Sequence, residues 1–458
     1  MSEFKTPISF NHFLSVSSID GRFRGNIEEV SKYFSEYATY KNRVLVEIEY
    51  LIAFLSSIKK PLSFKNQKIL RNIYKNFSLE DCSIIWKKDE EINHDTKSVE
   101  YFLIQKLNEK KLSGIINYIH IGLTTNDIDS TGLAISIRDF CKNLYIPSIK
   151  FLAQRIKIIS LEQKDLIMLS RTHGQFAVPT TVGKELANFY KRLKVQLDKL
   201  EGLRFGAGIT GSVGNHNALV YAYPEINWTK FSDAFLRKLN LDSYTMKTQV
   251  EPYDYKVEFL QAIKRINLVI SALDEDIWRY LAAGYLILRD SKGHVGSSTM
   301  PQKVNPIGFE LSESYTLLSN GILDVLEKKL PINRWQRDLT DKYLLRDLGQ
   351  ALAMSLLSCR STEDALKQIG FNSGVINKDL DEHWETVSEG VQTLLRTTNF
   401  KQPYEKLREL TRGKTVTKEI YNKFIDEIEV PKTIKEKLKK LSPRTYIGYS
   451  NKFEKLIK

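Results

Sequence analysis

Cysteine is scarce in this chain: Cys82, Cys141 and Cys359 are its three thiols in 458 residues. They are too few and too scattered for a disulfide framework or a recognisable zinc pattern, so a reducing, cytoplasmic setting is expected. Long apolar runs are missing as well. The longest stretch without formal charge, 205–224, is rich in glycine and carries Asn215, His216 and Asn217, which excludes a membrane span. The opening residues, MSEFKTPISF, lack the apolar centre of a signal peptide. No cluster with metal-ligand spacing and no Ser-His-Asp order stands out, so neither a metal nor another cofactor is expected. Negative charge is also in deficit, with 68 Lys and Arg against 55 Asp and Glu, a net charge of +13 and a pI near 9.2. That excess fits nucleic acid, an anionic surface or small polyanions equally well. The two signs are interleaved almost everywhere. Only the stretch around Lys432–Lys440 is visibly lysine-rich, and it reads first as solvated helix faces.

What the chain has in plenty is helical periodicity. With 42% apolar residues over this length, two or three domains are expected. Apolar residues recur at spacings of three and four in Leu133, Ile137, Phe140 and Leu144, and again in Leu152, Ile156 and Ile159, where Pro147-Ser148 marks a helix start. The same spacing runs through Leu186–Leu200, Ile263–Leu281 and Leu345–Leu356. Such stripes must pack side by side, which predicts an all-α fold: a small helical domain at 1–112, a central long-helix bundle at 113–366, and a C-terminal helical domain of shorter helices at 367–458. In the last segment Gly370, Gly374, Pro403, Gly413 and Pro431 are breaks, and Trp384 with Leu394-Leu395 are core or interface anchors. Several stripes in one chain also favour self-association.

Polar clusters lie between the stripes, and each has a plain structural reading beside a chemical one. Asp20-Gly21-Arg22-Phe23 is a surface turn or a presented arginine. In Asn93-His94-Asp95, Asn93 or Asp95 caps the following helix, and His94 is incidental or an anion ligand at a helix start. Thr124-Thr125-Asn126-Asp127 is a capping sequence or a set of hydroxyl donors. Ser170-Arg171-Thr172-His173-Gly174-Gln175 reads as a loop whose histidine either bonds to backbone or donates a proton, imidazole being the side chain that titrates nearest neutrality.

The densest cluster is the loop Gly293-His294-Val295-Gly296-Ser297-Ser298-Thr299-Met300-Pro301-Gln302-Lys303-Val304-Asn305-Pro306. Its glycines permit backbone angles that expose N–H groups, its prolines stiffen the exit, and Lys303 adds a positive charge. It is either a polar surface loop with a capping serine or a cradle for an anion.

The stretch Gly-Ser-Ser-x-Met-Pro-x-Lys-x-Asn-Pro at 296–306 resembles the signature loop of the fumarase/aspartase superfamily of elimination enzymes. Ser170–Gln175, followed by Pro179–Glu185, narrows the likeness to the adenylosuccinate lyase family, in its bacterial-type branch. Asn93-His94-Asp95, Thr248-Gln249-Val250-Glu251-Pro252, Arg334–Asp341 and Pro403–Leu407 agree with that pattern, so the resemblance runs from Asp20 to Ile447. It implies C–N cleavage of a succinyl nucleotide to release fumarate, without a cofactor, in a homotetramer whose sites combine loops from three chains. By the same resemblance Ser297 is the base, His173 the acid, and Lys303 with Asn305 holds the carbanion. Thr124, Thr125, Gln249 and Ser298 bind succinyl carboxylates, while Arg22, Arg337 and Arg346, assisted by His94, meet the phosphate or a carboxylate, and Phe23, Asn93 and Asp95 also bind substrate. The sequence departs from the pattern at Phe23, Tyr253, Gln302, Leu311 and Lys342-Tyr343, and the last three put nucleotide contacts in question.

Two other readings remain. A second lyase of the superfamily, cleaving argininosuccinate, shares the loop but lacks the Ser-Arg-Thr-His-Gly-Gln block. A helical nucleic-acid-binding scaffold accounts for the charge and the stripes but has no use for the loop, and it requires steeply salt-dependent binding to duplex nucleic acid. Neither nucleic acid nor a membrane is expected as partner.

Overall fold

The computed structural model describes residues 15–289, 299–300 and 302–457. The described chain is all-α, with strands confined to three short pairings: Ile167–Thr172 antiparallel to Gln175–Thr181, Gly206–Ala207 parallel to Asp242–Ser243, and Leu286–Leu288 antiparallel to Ile369–Phe371. Among the described residues no helix is long and apolar enough to cross a membrane. Contacts divide the chain into two compact units. One comprises Met1–Ser148, Leu197–Leu268 and Ser314–Ser358, the other Ile149–Gln196, Val269–Glu313 and Cys359–Lys458.

The first unit is built on the helix Glu36–Ser57, started by the Ser35 side chain accepting from the Ala38 N–H at 3.2 Å. One side of this helix, with Tyr40, Val44, Ile48, Leu51 and Leu55, packs against Leu70, Ile85, Val99, Phe102 and Leu103. Another side, with Val46, Tyr50 and Phe54, packs against Ile128, Trp228, Phe235 and Leu236. Each such side chain removed from water contributes roughly 1.5–3 kcal/mol. A helix buried on two sides leaves its charges little solvent, so they need partners. Glu49 binds Arg71 at 2.6 Å, Glu47 binds the His120 ring at 2.5 Å, and Arg43 takes two carboxylates described below. This 22-residue helix is longer than anything the broken pattern of 1–112 led us to expect.

The helix Thr125–Phe140 does not stop before Pro147. It passes through a π-helical turn, Cys141–Tyr145, into the helix Ile146–Glu162. A proline clashes with the carbonyl four residues earlier and gives no N–H, and a widened turn just before it relieves both problems without ending the helix. Farther along, Asn267 on the 29-residue helix Asp254–Ala282 donates to Ser319 Oγ (3.1 Å) and Asn320 (2.9 Å) and accepts from Ser355 Oγ (2.6 Å). Its amide thereby joins three helices in the core of the first unit.

In the second unit, Thr362 donates to buried Asp274 at 2.8 Å and lies 2.8 Å from Ser312 Oγ. Burial pushes the Asp274 carboxyl well above the usual carboxylate range. The C-terminal helices close around Val387, Val391, Leu395, Leu407, Tyr421, Ile425 and Leu438. Pro403 opens one of these helices and Pro431 immediately precedes another, where a missing N–H costs nothing.

Candidate active site

In the first unit, Thr124, Thr125 and Gln249 are placed by one buried carboxylate. Asp127, three residues into the helix Thr125–Phe140, is fully enclosed. Its Oδ2 accepts from the Thr124 N–H (3.1 Å) and the Gly211 N–H (3.0 Å), and its Oδ1 from the Thr210 N–H (3.2 Å) and Lys247 Nζ (3.0 Å). Four donors on two oxygens satisfy the charge completely. Lys247 also donates to the Gln249 carbonyl at 2.8 Å, and the Gln249 amide reaches back to the Ser212 carbonyl at 2.7 Å. The capping reading of Thr124–Asp127 thus holds, Asp127 accepting from the Thr124 N–H.

A second group in the same unit gathers around Asp95. The helix Asp95–Glu109 is capped neither by Asn93 nor by Asp95. Asn93 instead ends the preceding helix in the left-handed region, φ 50°, and His94 Nδ1 accepts from the Lys97 N–H at 3.1 Å. An accepting Nδ1 places the ring proton on Nε2, a donor directed away from the cap. Asp95 itself is buried, with Arg43 Nη2 at 2.9 Å, Lys342 Nζ at 2.8 Å and Arg346 Nη2 at 3.9 Å. Burial alone would raise its carboxyl, but the Arg43 and Lys342 charges hold it well below the usual range. Arg43 Nε also meets Asp129 at 2.7 Å, and Arg346 pairs with Glu36. Arg337 binds Asp341 at 2.8 Å, and the buried Tyr253 hydroxyl donates to the same carboxylate at 2.7 Å. Arg43, Arg337, Lys342 and Arg346 line one cleft of this unit, beside Glu36, Asn126 and Asp129. Arg43 Nη1, Asn126 Oδ1 and Ser130 Oγ lie buried there without a protein partner. Four positively charged side chains converge there, which suits a phosphate or carboxylate. Arg22 is exposed, and Phe23 meets Tyr315 edge-on at 5.3 Å.

His173 belongs to the second unit, and it stands not in a loop but at the tip of a hairpin. The strands Ile167–Thr172 and Gln175–Thr181 are joined by His173-Gly174 alone, with φ of 53° and 74°. Two positive φ values define the turn whose twist matches antiparallel strands; glycine adopts it freely and histidine tolerably. The arginine below the tip is stacked: Arg171 lies 4.2 Å from the Phe176 ring centre and 3.9 Å from Asp379. His173 is exposed. Lys303 is exposed too, its backbone N–H bonded to the Met300 carbonyl at 3.0 Å, and Asn305 is half-buried before the helix Ile307–Lys329. Ser297 and Ser298 lie outside the described residues.

Sequence reasoning found the polar clusters and Arg346 but missed Arg43, Lys247 and the pairing of Lys342 with Asp95. No local pattern announces them, because each acts across a long sequence separation. The uncharged glycine stretch 205–224, read only as evidence against a membrane span, was the one available signal: it wraps Lys247.

The fold is shared with solved structures of low sequence identity. A fumarate lyase from Mesorhizobium sp. BNC1 superposes with a TM-score of 0.77 at 18% identity, covering 94% of this chain and 97% of that one. A 3-carboxy-cis,cis-muconate lactonizing enzyme from Pseudomonas putida gives 0.75 at 17% identity, covering 94% of this chain and 96% of that one. The architecture is therefore that of the helical fumarate-lyase class. A lyase family model matches residues 21–318, and one for the adenylosuccinate lyase C-terminal region matches 333–447. Adenylosuccinate lyases from Dictyostelium discoideum (42% identity, 97% of this chain, 98% of that one) and Haemophilus influenzae (40%, 95% and 96%) align almost end to end. The chain belongs to the adenylosuccinate lyase family of the fumarase/aspartase superfamily.

Proposed function

We propose that the protein cleaves adenylosuccinate to AMP and fumarate in purine nucleotide biosynthesis, and cleaves the succinyl-aminoimidazole-carboxamide ribotide in the same way. The observation that carries this reading is end-to-end family membership together with the Ser170–Gln175 and 296–306 sequence motifs. A base removes a proton from the succinyl carbon beside a carboxylate. The carbanion is held as a doubly negative carboxylate, and its electron pair forms the fumarate double bond as the C–N bond breaks toward nitrogen. That nitrogen takes a proton from an acid, so atoms and charge balance with no cofactor.

In this scheme Ser297 is the base and His173 the acid, while Lys303, Asn305 and neighbouring amides stabilise the anion. A serine hydroxyl is a weak base, and it needs such donors and exclusion of water to act. Thr124, Thr125, Gln249 and Ser298 receive the succinyl carboxylates. Arg22, Arg337 and Arg346 receive the phosphate or a carboxylate, with Phe23, Asn93 and His94 alongside and Asp95 as counter-ion to Arg43, Lys342 and Arg346. We further read the chain as three segments, 1–112, 113–366 and 367–458. It assembles as a homotetramer in the cytoplasm, with sites shared between copies. Fumarate release measured separately with each ribotide tests the assignment, and no release from adenylosuccinate overturns it.

A further inference from the structure

Lys247 has no role in the scheme above, yet its side chain is wholly enclosed in the first unit. Its ion pair with Asp127 shows 0% side-chain exposure on both partners. Burying an ion pair costs several kcal/mol of desolvation per ion, so a pair kept there has to satisfy its remaining donors and acceptors. This one does so by tying three separate segments together. Asp127 holds the Thr124 N–H at the head of one helix and the N–H groups of Thr210 and Gly211 in the glycine-rich segment. Lys247 holds Asp127 at 3.0 Å and the Gln249 carbonyl at 2.8 Å. The Gln249 amide closes the circuit on the Ser212 carbonyl at 2.7 Å.

The glycines are what let the lysine lie there. A Cβ on Gly208 would stand 2.5 Å from the Lys247 Cδ and Cε, and one on Gly214 would stand 2.0 Å from the Lys247 carbonyl oxygen. Gly214 also has φ of 89°, a conformation that side-chain-bearing residues rarely adopt. The segment 206–214 is thus a sleeve shaped around one lysine.

We infer that Lys247 is a positioning residue for the elimination: through Asp127 and the Gln249 carbonyl it fixes the spacing between the Thr124-Thr125 hydroxyls and the Gln249 amide, the groups that grip the succinyl carboxylates. The inference rests on the proposed function for the identity of that ligand, and on geometry alone for the coupling. Neutralising one partner leaves the other as a buried unpaired charge, so Lys247→Met is expected to lose much of its folded protein. Asp127→Asn with Lys247→Met removes both charges and relieves that penalty. If Lys247 positions Gln249, this double variant regains most of the Tm lost in Lys247→Met but keeps a KM for adenylosuccinate raised about tenfold, the scale of one lost charged hydrogen bond. The benchmark is a Gln249→Ala variant, expected to raise KM similarly and to add little to the double variant. A double variant whose KM returns to wild type together with its Tm overturns the inference, because the pair is then only structural. Amide hydrogen exchange supplies a readout independent of activity: in the double variant, exchange is expected to quicken together at 210–214 and 247–250. Unchanged exchange in both segments overturns the coupling even if the wild-type protein proves inactive on adenylosuccinate, an outcome that would separately reject the functional reading.

Discussion

A histidine is useful as an acid only where its ring is free to meet substrate, and the two histidines proposed for the reaction differ in this respect. His173 occupies an exposed hairpin tip, whereas His94 spends Nδ1 on the Lys97 N–H and keeps only its Nε2–H for a ligand. His173→Gln is therefore expected to retain nucleotide affinity and to slow turnover by about 10²- to 10⁴-fold. His94→Gln is expected to raise KM and to destabilise the protein by about 1 kcal/mol through the lost cap. Steady-state kinetics with thermal melts separate them; normal turnover in the His173 variant with slow chemistry in the His94 variant would exchange the roles. A second residue-scale test concerns Asp274, whose carboxyl burial holds well above its ordinary value of about 4. Between that ordinary value and the raised one, the folded chain keeps a proton that the unfolded chain has released. Stability then falls as pH rises through this window. Asp274→Asn keeps a polar partner for Thr362 and removes the titration. It is expected to raise Tm by a few degrees at pH 8, with the gain disappearing as pH approaches 4; a gain independent of pH would refute the account.

At the scale of elements, legibility followed period and separation. The stripes at 133–144, 186–200, 263–281 and 345–356 repeat every three or four residues, and all became helix. The helices Glu36–Ser57 and Ile307–Lys329 escaped notice for opposite reasons. The first is buried on two sides and shows no single stripe, whereas Leu317, Leu318 and Val325 of the second are exposed in the isolated chain and blur its pattern. The hairpin was read as a loop because its tip is wholly polar, although His173-Gly174 between two short runs is a recognisable turn signal in retrospect. That turn makes a prediction of its own. Nothing lies within 4 Å of a Cβ built on Gly174, so only its φ of 74° restricts the position. Gly174→Ala is expected to cost roughly 1 kcal/mol and, if His173 is the acid, to depress kcat more than stability, since the strain falls on the residue beside it. Gly174→Asn, the side chain most at ease in the left-handed region, is expected to recover part of the rate. Equal kcat in the two variants would argue that the turn does not set the position of His173.

For the whole molecule, the residues assigned to one reaction fall into two groups within a single chain. Arg22, His94, Thr124, Gln249, Arg337 and Arg346 lie in the first unit, His173, Lys303 and Asn305 in the second. Large apolar side chains are also exposed along the long helices: Leu268 and Trp278 on Asp254–Ala282, and Ile307, Leu317, Leu318 and Val325 on Ile307–Lys329. Side chains of that size, repeated along a helix, are stable in water when another surface covers them, and the cheapest supply of such a surface is another copy of the same chain. If copies associate through these helices and share their sites, as the family resemblance implies, His173 and Ser297 of one site come from different chains. Neither His173→Ala nor Ser297→Ala alone has a competent site, but in a mixed oligomer some sites receive His173 from one variant and Ser297 from the other. Activity is then expected to appear on mixing two inactive proteins, after a dissociation and reassociation step, and to reach a modest fraction of wild type because only some sites escape both lesions. Each variant taken alone through the same step is expected to stay inactive, which excludes contamination as the source. Subunit exchange confirmed by mass, with no recovered activity, would show that acid and base come from the same chain.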